Sequence, residues 1–69
     1  MRAYVIKRND GKYLYTYFIY EDENFAFGEL NQAKLFDSRI LANNFFELNY
    51  SILNNMNCKV VPVEIREIP

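Results

Sequence analysis

The hydrophobic and polar positions of this chain predict two strands joined by a tight turn at its start. Residues 2–8 are rich in β-branched and aromatic side chains and lead into Asn9-Asp10-Gly11. These turn residues tolerate the backbone angles of tight hairpins, so the chain should reverse there. The returning strand, residues 12–20, is apolar and aromatic almost throughout.

The region after this second strand is polar and then irregular. Glu21-Asp22-Glu23 and Asn24 end the strand, and we interpret residues 25–31 as a loop that bends at Gly28. Residues 33–36 are predicted to add a short edge strand. A helix should begin near Asp37 or Ser38, because both residue types cap helix N-termini well.

Apolar residues recur at helical spacing from residue 38 to about residue 55. Steps of three and four place one stripe of side chains on a single face, which we expect to be buried. This stripe consists of Leu41, Phe45, Leu48, Ile52 and Met56, and it is widened by Ile40, Ala42, Phe46 and Leu53. Asn54, Asn55 and Asn57 then favour a helix end, because asparagine tolerates left-handed conformations.

The last segment, residues 59–68, alternates as a half-exposed strand does. Val61, Val63 and Ile65 share one face, which we assign to the helix side together with Leu14 and Phe18. Pro62 has no amide proton to donate to a ladder, so this strand should lie at a sheet edge.

These elements predict a single α+β domain over residues 1–69. We expect an antiparallel sheet of three or four strands with one long helix packed on one face, in the order ββ(β)αβ. A chain this short has room for one core only.

The second strand is apolar on both faces, whereas one helix can cover only one. A row of Tyr13, Tyr15 and Tyr17 should therefore remain on the open face. We predict that this row binds a partner together with the loop Glu21-Asp22-Glu23, because exposed tyrosines are enriched at interfaces. The alternative is that the loop from Glu21 to Asn31, with Phe25, Phe27 and Leu30, folds across this face and covers it.

Composition leaves little basis for catalysis. The chain has no histidine, no glycine-rich phosphate motif and a single cysteine, Cys58, so we predict no catalytic residues, no metal site and no cofactor. The lone cysteine and the lack of a long apolar run favour a cytoplasmic protein without a membrane segment.

The net charge of −1 disfavours nucleic acid as a partner, although tyrosines beside Lys7, Arg8 and Lys12 keep single-strand binding as an alternative. A second alternative is a homodimer that buries the tyrosine row.

The chain also resembles small uncharacterised proteins encoded by phages and prophages of low-GC Gram-positive bacteria. The resemblance rests on residues 4–7, 11–14, 33–36 and 60–65, together with Ser38 and Ala42. It implies a non-enzymatic accessory protein that binds and inhibits a host enzyme or defence complex. Another protein, or a second copy of the chain, is thus the expected partner.

Overall fold

A computed structural model of the chain describes residues 1–17 and 25–66, and only the backbone of Thr16 and Tyr17. It contains an antiparallel four-stranded sheet in the order β3-β2-β1-β4, with a helix packed on it, which confirms the predicted α+β fold. The described elements are β1 (Arg2–Arg8), β2 (Tyr13–Tyr17), β3 (Phe25–Gly28), a 3-10 turn (Leu30–Gln32), α1 (Arg39–Leu48), α2 (Tyr50–Asn55) and β4 (Cys58–Glu64).

The hairpin between β1 and β2 forms where the sequence predicts it. The amide of Arg8 donates to the carbonyl of Lys12 at 2.7 Å, and Gly11 takes a φ of 90°. Asp10 closes the turn with its side chain, which accepts the Lys12 amide at 3.1 Å. A three-residue loop with glycine at a positive-φ position is a common hairpin connection.

The predicted loop over residues 25–31 is wrong, because its first four residues are β3. Phe27 pairs with Leu14, and Phe25 pairs with Tyr17. The alternation of Phe25, Ala26 and Phe27 suits a strand with one buried face, and both phenylalanines pack against the core under the helices. The polar residues that precede Phe25 in the sequence made this short apolar segment resemble part of a loop.

The predicted edge strand over residues 33–36 is also wrong. β1 and β2 pair directly only at Lys7 and Tyr13. Beyond that point Tyr4 and Phe36 exchange two backbone hydrogen bonds of 2.9 Å, and the amide of Lys34 donates to the carbonyl of Leu14 at 2.9 Å. The segment therefore lies between two diverging strands, where it satisfies their backbone groups, and not at an edge.

The helix begins as predicted but is divided in two. Ser38 caps α1 by accepting the Leu41 amide at 3.2 Å. Asn49 interrupts the predicted continuous helix, with its side-chain amide donating to the carbonyl of Phe45 at 2.9 Å. Asparagine side chains compete in this way for backbone partners. Asn57, at φ 58°, ends the helical region in the left-handed conformation that the sequence suggests.

The helix surface that faces the sheet differs from the predicted stripe. Leu41 and Leu48 are 52% and 85% exposed, so their predicted burial is wrong. The small side chain of Ala42 lets the helix approach the sheet closely, and the Phe45 and Phe46 rings fill the space beside it. The core cluster consists of Ile6, Leu14, Phe36, Ala42, Leu53 and Cys58.

The last strand lies at an edge, as Pro62 indicates, but its faces are the reverse of our assignment. Val60 packs against the helix-side core, whereas Val61 and Val63 pair with Val5 and Ala3 on the other face. The helices therefore contact Val60 and not the valine row, because Val61 and Val63 lie on the opposite face of the sheet. β4 ends at Glu64, short of the predicted end at residue 68.

Candidate binding surfaces

The sheet face away from the helices, here called the open face, is covered in part by the chain itself. Ala3 and Val5 alternate with the core residues of β1 and so lie on this face, yet they are 3% and 0% exposed. The segment from Leu30 to Leu35 lies beside the same part of the sheet, where it lines a groove with β4. The chain thus covers one part of this face itself, as the alternative prediction proposed. The covering residues are 30–35, however, whereas Phe25 and Phe27 pack on the helix side.

The groove between this segment and β4 is mostly apolar and has a volume of about 250 Å³. Leu30 and Leu35, which form one wall, are 49% and 50% exposed. The lining residues are Leu30, Asn31, Ala33, Leu35, Val63, Glu64 and Ile65. An open apolar groove of this kind is a candidate site for an apolar side chain of another molecule.

The tyrosine row is shorter and less regular than predicted. Tyr13 is half-buried with the Lys7 ammonium 5.6 Å from its ring centroid, and Tyr15 is 40% exposed. A register shift between Leu14 and Thr16 breaks the strict alternation on which the row depends. The side chain of Tyr17 and the loop Glu21-Asp22-Glu23 lie outside the described residues.

Gly28 brings Tyr15 and the leucine segment together. A Cβ on Gly28 would lie 3.2 Å from the Tyr15 ring and would collide with the Gln32 side chain. Gln32 is the last residue of the 3-10 turn and accepts the Glu29 amide at 3.1 Å. Tyr15 and the turn that carries Leu30 therefore adjoin across the surface of β3. We call Tyr13, Tyr15, Leu30 and Leu35 the open-face patch.

A second concave site lies at the end of the sheet that carries the β1–β2 turn. This turn cleft has a volume of about 600 Å³ and is more polar than the apolar groove. Its lining residues are Lys7, Arg8, Asn9, Asp10, Gly11, Asn54, Asn57, Cys58 and Lys59.

The electrostatics of the turn cleft are set by one ion pair and one neutral thiol. Arg8 donates to Asp10 through two hydrogen bonds of 3.0 and 2.7 Å and stacks 4.4 Å from the Phe27 centroid. These bonds raise the pKa of Arg8 and, together with the bond from the Lys12 amide, lower the pKa of Asp10. Burial raises the pKa of the Cys58 thiol, and the Arg8 charge opposes this shift only weakly. A thiol with a raised pKa is a poor nucleophile at neutral pH.

The described residues contain no group of three or more acidic, cysteine or histidine side chains that could hold a metal ion. In the same part of the chain, no helix is both long enough and apolar enough to cross a membrane.

Sequence reasoning missed several residues that form these surfaces. The sequence places Leu30 in a loop and Leu35 in a short edge strand, and only their apolar character indicates a role at a surface. The sequence places Lys59 at the start of the last strand, and its cross-strand partner Lys7 becomes evident only in the structure. Exposed Ile40, Leu41 and Leu48 form a further apolar surface on α1 that the periodicity assigned in part to the core.

Comparisons of the chain with protein-family models, with curated proteins and with solved structures gave no match.

Proposed function

We propose that this chain is a non-enzymatic accessory factor that binds another protein through the open-face patch. The observation that supports this most directly is the junction of exposed Tyr15 with an open apolar groove. Tyrosine rings favour burial while their hydroxyl groups tolerate water, and such residues are enriched where proteins bind one another.

The energetic argument concerns the apolar area that remains exposed to solvent. Tyr15, Leu30 and Leu35 are each 40–50% exposed on one surface. Fully burying a side chain of this size stabilises by about 1.5–3 kcal/mol, so covering the remaining surface of three such residues contributes a few kcal/mol. For a small domain this gain is comparable with its whole stability.

The identity of the partner follows from the resemblance to phage and prophage proteins. On that basis the partner is a host enzyme or a component of a host defence complex, and the chain acts as its inhibitor in the host cytoplasm. Glu21, Asp22 and Glu23 belong to this proposal as acidic contacts with the partner, on the strength of their sequence position after β2.

The test uses immobilised protein to capture host proteins and compares Tyr15→Ser with Tyr50→Ser as a matched control. Tyr50 is 50% exposed on α2, away from the patch. A partner retained by the wild type and by Tyr50→Ser, but lost with Tyr15→Ser, supports the proposed surface. Equal retention by both variants contradicts it, provided that circular dichroism shows both to be folded.

Two further measurements separate the alternatives. Sedimentation that shows a dimer lost in Tyr15→Ser assigns the patch to self-association. Salt-sensitive binding of a labelled single-stranded oligonucleotide, weakened by Tyr15→Ser, assigns it to nucleic acid.

A further inference from the structure

Given the proposed function, on which this inference rests, we propose that the open face binds an extended segment of the partner protein that has an acidic and an apolar side chain four positions apart. The acidic side chain lies at Lys7 and Lys59. The apolar side chain enters the apolar groove between Leu35 and Val63.

The charged end of this surface is a row of side chains across three strands. Lys59 of β4 pairs with Lys7 of β1, and Lys7 pairs with Tyr13 of β2. Side chains of cross-strand partners lie on the same side of a sheet, with Cβ atoms about 5 Å apart. Because Lys7 continues the alternation of Ala3 and Val5 along β1, this side is the open face. The two ammonium groups therefore lie next to a ring that belongs to the open-face patch.

The two lysines lack a counter-charge within residues 1–17 and 25–66. There the salt bridges involve the N-terminal amino group, Arg2, Arg8 and Lys12, and neither Lys7 nor Lys59 takes part. Like charges directly opposite each other destabilise a sheet. A carboxylate from a partner offsets this repulsion and accepts hydrogen bonds from both ammonium groups.

The surface beyond the lysines is apolar. Along β4 the next open-face positions after Lys59 are Val61 and Val63, and both are half-buried. Val63 lines the apolar groove, where Leu35 on the opposite wall is 50% exposed. Lys59 and Val63 are four residues apart, which corresponds to about 13 Å along a strand. An extended partner segment covers the same distance in four residues and presents its positions i and i+4 on one side.

The distribution of charge on this face favours a peptide over a nucleic acid. A single strand carries a phosphate at every nucleotide and needs cations along its whole path. On this face Lys7 and Lys59 lie at one end, whereas the carboxylate of Glu64 lines the groove at the other end. A segment with one carboxylate followed by an apolar residue matches this arrangement, and a chain of phosphates does not.

The probe is a blocked heptapeptide, acetyl-Gly-Asp-Thr-Thr-Thr-Leu-Gly-amide, in which the acidic and apolar residues are four positions apart. In an NMR titration of 15N-labelled protein, we expect saturable shifts of the amide signals of residues 5–7, 33–35 and 59–65. The same peptide with Asn in place of Asp should bind about fivefold more weakly, which is the upper value for one exposed ion pair. A peptide with Asp and Leu adjacent should lose as much, because only one of its two side chains can reach its site.

Charge-matched variants locate the acidic end. Lys59→Gln should weaken binding of the Asp peptide about fivefold and leave that of the Asn peptide within about twofold. Arg39→Gln removes the same charge from α1, beside Tyr4 on the helix side, and should leave both affinities within about twofold because screening limits distant charges. Circular dichroism checks that both variants are folded. Equal weakening by the two variants, or equal affinity for the Asp and Asn peptides, would overturn the proposal.

Two controls test other occupants of the open face. Shifts of the same signals when the protein alone is concentrated would assign the surface to a second copy of the chain. Shifts with oligothymidylate, but not with the heptapeptide, would assign it to nucleic acid. Either result contradicts the proposal, and so does the lack of saturable shifts at millimolar heptapeptide in low salt.

The lysine pair and Tyr15 can be tested separately. A host protein that is lost with Tyr15→Ser but fully retained by Lys59→Gln would support the proposed function and contradict the acidic end of this site. Conversely, peptide binding that depends on Lys59, without any host protein that depends on Tyr15, would support the peptide site and contradict only the proposed function.

Discussion

The two faces of the sheet bury apolar residues in different ways. On the helix face, Ile6, Leu14 and Leu53 belong to one continuous cluster and have no exposed surface. On the open face, Ala3 and Val5 are buried beside a short connecting segment, while Tyr15 a few residues away is 40% exposed. One face is thus a complete core, and the other is a partial core that ends in an exposed surface.

This difference explains why both faces of the strands are apolar in sequence. A segment as short as residues 30–35 can shield small side chains such as Ala3, but it cannot cover a whole sheet face. The part that it leaves uncovered is where the larger aromatic residues lie. Apolar residues on both faces of a strand therefore indicate either a second covering element or a binding surface. In this protein a covering segment accounts for one part of the open face, and the proposed binding surface lies in the other part.

The largest expected effect is on the helix face. Leu53→Ala should reduce the free energy of unfolding by about 2–5 kcal/mol, because it leaves a cavity in a fully buried position. Leu48→Ala, at a leucine that is 85% exposed, should change it by less than about 0.5 kcal/mol. Urea unfolding monitored by circular dichroism compares the two, and similar losses would contradict the helix orientation described above.

Val5→Ala tests whether the covered part of the open face is packed. Val5 is fully buried, so the loss of two methyl groups should cost about 2 kcal/mol. The same urea measurement applies. A loss below about 0.5 kcal/mol would show that residues 30–35 do not pack against Val5 in solution. The helix face would then be the only face of the described sheet with a packed core.

The packing of α1 on the sheet depends in part on the capped N-terminus of this helix. Ser38→Ala removes the acceptor for the Leu41 amide and should cost about 1 kcal/mol. Ser51→Ala, at an exposed position within α2, serves as the control and should be close to neutral. Thermal unfolding measures both, and an equal effect of the two changes would argue against the cap.

A smaller effect is expected at the charged end of the open face. Lys59→Glu replaces a like-charge pair with an attractive one opposite Lys7, so it should stabilise the protein by about 0.2–1 kcal/mol at low ionic strength. The gain should decrease as salt is added. A destabilised variant in low salt would show that the two lysines do not face each other.

The smallest effect concerns pH and the turn that joins the two central strands. The bonds from Arg8 and from the Lys12 amide lower the pKa of Asp10. Because the pKa is lower in the folded state than in the unfolded state, the Asp10 carboxylate contributes to the free energy of unfolding. This contribution is complete above the unfolded-state pKa of roughly 4, and it is lost as the pH falls through the folded-state pKa. Urea midpoints of the wild type and Asp10→Asn should therefore differ at pH 6 and converge at lower pH. A constant difference would exclude the Asp10 carboxylate as the cause.

The sequence predicted the fold class, the first hairpin, the Ser38 cap and the edge position of the last strand. Each depends on a local rule: turn chemistry around Gly11, a side-chain acceptor, or the missing amide proton of Pro62. The errors arose where tertiary packing decides, because periodicity alone could not tell which side of α1 faces the sheet. Leu41 and Ala42 both belong to the predicted stripe, yet only Ala42 is buried, and this is the clearest case.

The candidate surfaces were predicted less well for the same reason. Tyr15 was identified because strand alternation is a local property. Leu30 and Leu35 meet Val63 only after the chain has folded, and Lys59 meets Lys7 only through pairing between the first and last strands. No spacing in the sequence encodes such long-range contacts.

Pro62 has a consequence for the behaviour of the protein at high concentration. Met1 and Ile65 exchange backbone hydrogen bonds. In an antiparallel ladder, hydrogen-bonded pairs alternate with pairs that are not hydrogen-bonded to each other. The β4 residues opposite even-numbered β1 residues therefore direct their backbone amide and carbonyl groups away from β1, toward the free edge. Pro62 is one of them, and the outer row of β4 therefore lacks a donor near its middle. An incoming strand from another molecule would meet an interrupted ladder at this edge, which disfavours edge-to-edge pairing through β4.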